Sequence, residues 1–163
     1  MKKKRFTLLG VDPGLRKTGF GLIAREASAL HYITSGTIET DSKKSDALRL
    51  KEIFIALNQI VKKFRPDKAV VERVFANSNP KTTLALGQAR GASITALAIQ
   101  NIDVFELSPT EIKKFLVGNG HADKNQVQFM VKSLLNLEGN VGTDSSDALA
   151  CALALERVEK IHD

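Results

Sequence analysis

The sequence predicts an α/β domain in which a five-stranded mixed sheet is flanked by helices. Three apolar, strand-like runs separated by turn residues come first, and helix and strand patterns then alternate before the chain ends in further helices. The hydrophobic fraction of 43% can fill a core, since a chain of about 150 residues buries roughly 70% of its unfolded surface. At roughly 100–200 residues per domain, residues 1–163 are expected to form one domain.

The opening strands are predicted from short runs of apolar and β-branched residues. Residues 6–11 suit a strand that is buried on both faces. Asp12-Pro13-Gly14 then has turn chemistry, because proline fixes φ and glycine accepts a positive φ. Residues 18–24 and 32–39 indicate two further strands, so an antiparallel meander is expected to open the domain.

The middle of the chain alternates between helix and strand patterns. Residues 45–64 are apolar on one face at helical spacing, and Ser45 can cap that helix. Residues 69–74 form a second strand of the buried type, residues 81–99 a long helix, and residues 102–107 the fifth strand. This alternation predicts strands that join the meander with helices on the faces of the sheet.

Three helices are predicted at the end of the chain. A short helix over residues 110–117 precedes a glycine-bearing loop. Asp123, followed by Gln126, then forms a capping-box pattern for a helix that ends near residue 137. The last helix is expected to begin at Thr143 or Asp144 and to reach about residue 159.

The chain carries an excess of positive charge. Lys and Arg number 24 against 18 Asp and Glu, which gives a formal net charge of +6, and the isoelectric point is near 9.5. This balance favours a polyanionic partner, with nucleic acid ahead of an anionic membrane. A positive surface that only aids solubility is the alternative.

Membrane and secretory roles are not expected. The sequence has no run of about 18 apolar residues, and the apolar stretch after the basic residues 2–5 is too short for a signal peptide. The single cysteine, Cys151, excludes an internal disulfide and fits a reducing compartment. We therefore expect a cytoplasmic protein with no membrane partner.

Two acidic residues lie in apolar strand patterns, where a carboxylate is costly unless it is paired, hydrogen-bonded or bound to a metal. Asp12 ends the first strand and Glu72 lies in the fourth. Each also has a structural explanation. Asp12 can simply open a Pro-Gly turn, and Glu72 can pair with Arg73 or Lys68 at a sheet edge.

A third acidic feature is the sequence TDSSD at residues 143–147. Its spacing places Asp144 and Asp147 on one helix face within the first turn, where helix capping is the alternative explanation. With Asp12 and Glu72 they make four carboxylates, in a chain that has no Walker loop, zinc cluster or plausible Cys–His pair. Such oxygen ligands suit Mg²⁺ or Mn²⁺, and two such ions about 3.5–4 Å apart can assist phosphodiester hydrolysis.

A set of weak motifs occurs in order along nearly the whole chain. They are GVDPGLRKTGFG at 10–21, VVERVF at 70–75, LGQARG at 86–91, ADKNQVQFMV at 122–131 and TDSSDALACAL at 143–153. Together they resemble the RuvC-type Holliday-junction resolvases, the crossover junction endodeoxyribonucleases. A single one of these motifs would mean little, but the ordered set is specific.

The resemblance implies a ribonuclease H-like fold, a homodimer, and a need for Mg²⁺, two per active site, with Mn²⁺ as a possible substitute. By motif, the catalytic and metal-binding acids are Asp12, Glu72, Asp144 and Asp147, although some relatives have a histidine where Asp144 stands. The implied activity is symmetric, paired nicking of four-way (Holliday) DNA junctions in homologous recombination and repair. The implied protein partner is the RuvA–RuvB branch-migration complex.

Four further residues are expected to contact DNA. The resemblance implies that Phe75 stacks on a base at the opened junction centre and that Lys113 and Lys124 lie near phosphates. Several relatives also carry a basic residue shortly after the aromatic one, and here the next cation is Lys81. The structural alternatives are that Phe75 ends the core of its strand and that Lys113 belongs to an ordinary solvated helix face.

The helix over residues 81–99 is apolar on two stripes, although a helix lying on a sheet needs only one. The stripes consist of Ala85, Ala89, Ala92, Ala96 and Ile99, and of Leu84, Gly87, Gly91, Ile94 and Ala98. Either the helix is buried on two sides within the monomer, or the second stripe lies at a two-fold interface where small residues let two helices approach closely. We favour the dimer.

Three other functions remain open at this point. They are an RNA-processing nuclease of the same fold, a fragment of an actin-like ATPase, and a non-catalytic junction-binding protein. A complete actin-like ATPase needs two such domains, more than 163 residues supply. A pure binding protein has no use for four repulsive carboxylates beside phosphate.

Overall fold

The computed structural model describes residues 5–162, and ten elements occur in this range. The strands are β1 (Phe6–Asp12), β2 (Lys17–Glu26), β3 (Ala29–Glu39), β4 (Lys68–Glu72) and β5 (Asp103–Leu107). The helices are α1 (Asp46–Phe64), α2 (Pro80–Ala98), α3 (Pro109–Val117), α4 (Lys124–Leu135) and α5 (Thr143–His162). Most of the basic start of the chain, residues 2–4, lies outside the described part.

The five strands form one mixed sheet in the order β3-β2-β1-β4-β5. The meander is confirmed, because β1 pairs antiparallel with β2 and β2 pairs antiparallel with β3. β4 then pairs parallel with β1, and β5 pairs parallel with β4. The ends of β1 and β4 therefore meet at one edge of the sheet, which is the edge that carries the predicted acids.

The predicted elements are all present, and their bounds differ by a few residues. β4 ends at Glu72, two residues before the predicted end, because its neighbour β5 ends at Leu107, the residue paired with Glu72. α4 ends at Leu135, also two residues early, since Asn136 adopts a left-handed conformation with φ of 50° that closes the helix. The predicted caps Ser45 and Asp123 are confirmed, each accepting a hydrogen bond from a backbone N–H of its helix.

Helices cover both faces of the sheet. α1 and α2 pack on the face that carries Leu9, Val11, Leu22 and Val71. α3, α4 and α5 pack on the face that carries Leu8, Ile23 and Val70. α5 lies between the sheet and the other two helices, so its residues from 148 to 156 are all buried. None of the helices in residues 5–162 is long and apolar enough to cross a membrane.

Two paired glycines let α5 lie directly on the sheet. Gly10 of β1 and Gly21 of β2 are partners across the ladder. A Cβ on Gly10 would be 2.0 Å from the carbonyl oxygen of Ala148, and a Cβ on Gly21 would be 2.7 Å from the side chain of Leu149. Any side chain at these positions would push α5 away, so this pair sets the depth of the helix on the sheet.

Candidate active site

Asp12 and Glu72 lie next to each other at the edge of the sheet. β1 and β4 run parallel with Val11 beside Val71, and each acid follows directly in its own strand. Side chains alternate between the faces of a strand, and Val11 and Val71 both belong to the core under α1 and α2. Asp12 and Glu72 therefore point to the opposite face, towards α5.

The two carboxyl groups are electrostatically coupled. They hydrogen-bond to each other, which requires a proton on one of them. Burial, and then the neighbouring charge of Asp12, raise the pKa of Glu72 to about 8. Burial is also the largest cause of a raised pKa at Asp12, with the charges of Asp147 and Asp144 adding to it. Four carboxylates are thus close enough to repel one another.

The cations that could have paired with Glu72 at the sheet edge have other partners. Lys68 pairs with Glu159, and Arg73 lies 3.4 Å from Glu106, so neither cation is the predicted partner of Glu72. Asp12 does precede the turn at Pro13, and its carboxyl group also interacts with that of Glu72.

The first turn of α5 supplies the other two acids. Asp147 Oδ2 lies 3.4 Å from Lys124 Nζ, and burial raises the pKa of Asp147 while the charge of Lys124 opposes the rise. Asp144 is an acid in the first turn of α5, where it also complements the helix dipole. The spacing of three residues brings both acids towards Asp12, whose pKa their charges raise.

An open cleft of about 240 Å³ adjoins the acids. Its lining includes the carboxylates Glu72 and Asp147 together with Lys113 of α3 and Lys124 at the start of α4. The positive charge of Lys113 lowers the pKa of Glu72. Two lysines therefore share a cleft with the acidic cluster, and an anionic group entering that cleft would meet both charges.

Phe75 and Lys81 lie elsewhere. Phe75 is 68% exposed in the loop between β4 and α2, so its interpretation as the last core residue of a strand is wrong. Lys81 is exposed in the first turn of α2 and lines a different groove, beside Leu15 and Arg49. The structure thus brings Lys113 and Lys124 to the acids and leaves Lys81 outside their cleft.

Arg90 supports the site, and the sequence interpretation missed it. Its Nε donates to the carbonyl oxygen of Glu72 at 3.3 Å, and its Nη2 lies 2.9 Å from a carboxylate oxygen of Glu106. Arg90 thereby ties α2 to the ends of β4 and β5. The sequence did contain a signal for this role. Arg90 is a charged residue among the alanines on the sheet-facing side of the predicted helix, where a cation needs a polar partner.

The acids are engaged with protein partners in this structure. Asp12 and Glu72 hydrogen-bond to each other, and Asp147 faces Lys124. Consistent with this, no three Asp, Glu, His or Cys side chains among residues 5–162 are arranged as a ready set of ligands for one ion.

The sheet order and the acids at its edge define the ribonuclease H-like nucleases. The structure of the yeast mitochondrial Holliday junction resolvase Ydc2 has the same fold, with a TM-score of 0.66 at 17% identity over 94% of this chain and 80% of that one. Thermus thermophilus RuvC, solved in complex with a Holliday junction substrate, is more similar, with a TM-score of 0.90 at 26% identity over 96% of both chains.

Sequence comparison gives the family. Residues 8–155 match the family described as Crossover junction endodeoxyribonuclease RuvC. A protein of that name from Bordetella parapertussis is 50% identical over 96% of this chain and 86% of its own length. Its namesake from Methylobacillus flagellatus is 48% identical over 91% of this chain and 85% of its own. The chain belongs to the RuvC family of crossover junction endodeoxyribonucleases, and it is a nuclease.

Proposed function

We propose that this enzyme resolves four-way DNA junctions by symmetric paired nicks, hydrolysing phosphodiester bonds with the help of two divalent metal ions. The observation that carries the proposal is the coupled pair of Asp12 and Glu72, which faces two further acids and opens into a cleft with two lysines. Carboxylates crowded beside a phosphate-binding surface are useful only if cations neutralise them.

The donor set fits Mg²⁺ or Mn²⁺. Both ions prefer carboxylate and phosphate oxygens to nitrogen or sulfur. The pKa of Glu72 is raised by burial and by repulsion from its acidic neighbours, which the charge of Lys113 offsets only in part. A divalent ion would offset both. Asp12, Glu72, Asp144 and Asp147 would be its ligands. The bound ions would supply activation of the attacking water and stabilisation of the leaving oxygen.

The lysines have a separate task in this proposal. Lys113 and Lys124 would hold the phosphate group that faces the acids, since both line the cleft. Lys124 lies at the N-terminus of α4, where the helix dipole disfavours a cation. Its pairing with Asp147 offsets that cost in the free protein, and a phosphate would take the place of Asp147 when DNA binds.

Phe75 and Lys81 would contact DNA outside the cleft. Phe75 projects from the loop after β4, three residues beyond Glu72, with 68% of its surface exposed. Stacking of a base on an exposed aromatic ring is worth about 1–3 kcal/mol. Lys81 lies in the first turn of α2, which follows that loop, and would contact a phosphate further from the scissile bond.

A homodimer would place two such sites for the paired nicks. The second apolar stripe of α2 is largely exposed in the monomer, with Leu84 at 69% and Gly87, Gly91 and Ala98 exposed as well. A Cβ on Gly87 or Gly91 of this stripe would meet nothing within 4 Å. The alternative that α2 is buried on two sides within the monomer is therefore wrong, and a two-fold contact between α2 helices would cover the stripe.

Membership of the family supports two further parts of the proposal. A resolvase acts where recombination intermediates are processed, so we propose that this protein works in the cytoplasm. The RuvA–RuvB branch-migration complex would then be its protein partner, acting on the same DNA junction in homologous recombination and repair.

The experiment is incubation of the protein with a synthetic four-way junction, with and without Mg²⁺. We expect nicks at symmetric positions in two opposing strands, and none in EDTA. A linear duplex and an RNA hairpin of matched sequence are the controls. Cleavage of the linear duplex at an equal rate would overturn junction selectivity, preferential cleavage of RNA would favour an RNA-processing nuclease, and binding without any cleavage would favour a non-catalytic protein.

A further inference from the structure

The loop that follows Asp12 is held by its carbonyl groups. The hydroxyl of Thr18 donates to the carbonyl oxygen of Gly14 at 2.8 Å, and the hydroxyl of Thr40 donates to that of Leu15 at 2.6 Å. The backbone N–H of Thr40 donates to the carbonyl oxygen of Arg16 at 3.1 Å. Three consecutive carbonyls of this loop are therefore bonded to buried residues of β2 and the end of β3.

Arg49 of α1 strengthens this attachment. Its Nε donates to the hydroxyl of Thr40 at 3.0 Å, so one hydroxyl links α1 to the loop. The side chain of Arg49 is only 13% exposed and lies 3.7 Å from Asp46. The loop between β1 and β2 is thus fixed to α1, which packs on the sheet face opposite to the acids. These bonds hold the loop in one conformation.

The same loop offers unpaired donors. Within residues 5–162, the backbone N–H groups of Leu15 and Arg16 have no protein acceptor. The side chains of Arg16 and Lys17 are exposed. Amide donors next to a guanidinium group form a common kind of phosphate-binding surface in proteins.

Two adjoining grooves continue from this loop across the start of α2. Their volumes are about 750 and 430 Å³, and both include Leu15, Arg49, Thr82 and Ala85 in their lining. The larger groove also includes Leu84 of the α2 stripe, which the proposed two-fold contact would cover, whereas the smaller groove does not. The cations at their walls are Arg16, Lys17, Arg49 and Lys81. In the described structure, Asp46 is the one acid that lines them. Lys17 pairs with Glu39 and Arg49 with Asp46. Within residues 5–162, Arg16 and Lys81 are the cations at these walls that have no acidic partner, and they leave the rim with positive charge for a phosphate.

We propose that the loop at residues 13–17 and the smaller of these two grooves form a second track for the DNA backbone. The track lies on the α1 and α2 side of the sheet, whereas the cleft with Lys113 and Lys124 lies on the α3 to α5 side. The acids at the sheet edge then stand between two basic surfaces, and the cleaved strand crosses the edge from one to the other. The inference rests on the proposed function, because it names further contacts of the same substrate.

Arg16→Gln is the direct test. Junction binding is measured by fluorescence anisotropy in EDTA at several salt concentrations, so that cleavage plays no part. We expect affinity about tenfold weaker, since charge-assisted hydrogen bonds contribute more than neutral ones. The slope of log affinity against log salt should also fall by about 1, as for the loss of one phosphate contact.

Lys62→Gln is the matched control. It removes the same positive charge from the other end of α1, roughly 24 Å from Asp46 along the helix. Lys62 lines a different groove from Arg16. Equal affinities and equal salt slopes for Arg16→Gln and Lys62→Gln would overturn the track. A shift of Arg16→Gln to monomer in sedimentation would also overturn it, because the groove would then be a contact between copies of the chain.

Substitutions of Thr40 test how the loop is held in place without changing its charge. Thr40→Val removes the hydroxyl that joins Leu15 to Arg49, and we expect it to weaken junction binding about as much as Arg16→Gln does. Thr40→Ser keeps the hydroxyl and should bind like the wild type. If the wild-type protein binds the junction but never cleaves it, the proposed function is wrong. The junction affinities of the Arg16 and Thr40 variants would still support or overturn the track.

Discussion

Asp144 lies against Gly19, and the carbonyl oxygen of Asp144 is 2.1 Å from the position that a Cβ on Gly19 would take. Gly19 is also the direct partner of Asp12 across the β1–β2 ladder. The missing side chain therefore lets the first turn of α5 come down beside Asp12. One glycine sets how closely two acids from distant parts of the chain approach each other.

Gly19→Ala should separate the acids. The added methyl group would overlap the backbone of α5, so the helix start has to move, and we expect a loss of about 1–3 kcal/mol in the free energy of unfolding. The cleavage rate should fall at least about 100-fold, because small misplacements of reacting groups have effects of this order. Single-turnover cleavage of a four-way junction and thermal unfolding measure the two effects.

Gly142→Ala is the control for that variant. It makes the same change two residues before Asp144, where a Cβ would make only an ordinary contact of 3.8 Å with Ser145. We expect near-normal cleavage and stability. Equal losses in the two variants would show that the approach at Gly19 has no special role.

The strands that carry Asp12 and Glu72 could be predicted because the sequence patterns that indicate them are local. Each acid follows an apolar strand run, and the alternation of side chains along parallel neighbours carries both to one face of the sheet. The helix spacing that brings Asp144 and Asp147 to one side is equally local.

What the sequence did not reveal depends on distant backbone. Nothing around Gly19 or Gly10 states that a helix more than 120 residues later will press on them. Arg90 reaches the carbonyl of Glu72 only because α2 packs across β4. Lys81 follows the site motif closely in sequence, yet the direction in which α2 starts carries it to the other side of the sheet edge.

Asp12→Asn should abolish cleavage and leave junction binding largely intact. The amide cannot serve as an anionic metal ligand, whereas the basic surfaces that hold DNA stay unchanged. We expect a rate at least about 1,000-fold lower, as for other losses of a group central to transition-state stabilisation. A gel assay with Mg²⁺ measures cleavage, and an anisotropy assay in EDTA measures binding. Normal turnover by this variant would contradict the assignment of Asp12 as a metal ligand.

Leu84→Glu should convert the proposed dimer to a monomer. Leu84 is 69% exposed on the apolar stripe of α2, and a charge buried at a two-fold interface would meet its own copy. We expect dissociation to become easier by at least about tenfold, measured by analytical ultracentrifugation, with unchanged circular dichroism.

Phe129→Glu is the control for the interface. Phe129 is 71% exposed on α4, away from the α2 stripe, so the same charge there should leave the dimer intact. The monomeric Leu84→Glu protein should also lose the coupling between its two nicks. If both variants remain dimeric, the α2 stripe is not the interface.

The stability of the metal-free protein should fall as pH rises. The pKa of Glu72 is about 8 in the folded protein, against an ordinary value of 4.5. Between these values the unfolded chain loses a proton that the folded protein keeps, so the free energy of unfolding decreases with pH and the loss is complete above about pH 8. Allowing for the solvent that reaches this half-buried carboxyl, we expect a drop on the order of 1–2 kcal/mol, or about 2–8 °C in melting temperature.

Glu72→Gln and Mg²⁺ test the cause of that pH dependence. The variant has no carboxyl group to ionise at this position. Its melting temperature in EDTA should therefore change less than that of the wild type between about pH 5.5 and about pH 8.5, on the two sides of the range in which Glu72 loses its proton. Mg²⁺ should raise the melting temperature of the wild type most at the higher pH, because only ionised carboxylates bind it well. Differential scanning calorimetry in EDTA and in excess Mg²⁺ measures both effects. A wild-type protein that is equally stable at both pH values in EDTA would contradict the coupling of Asp12 and Glu72, and with it the electrostatic case for a cation at this site.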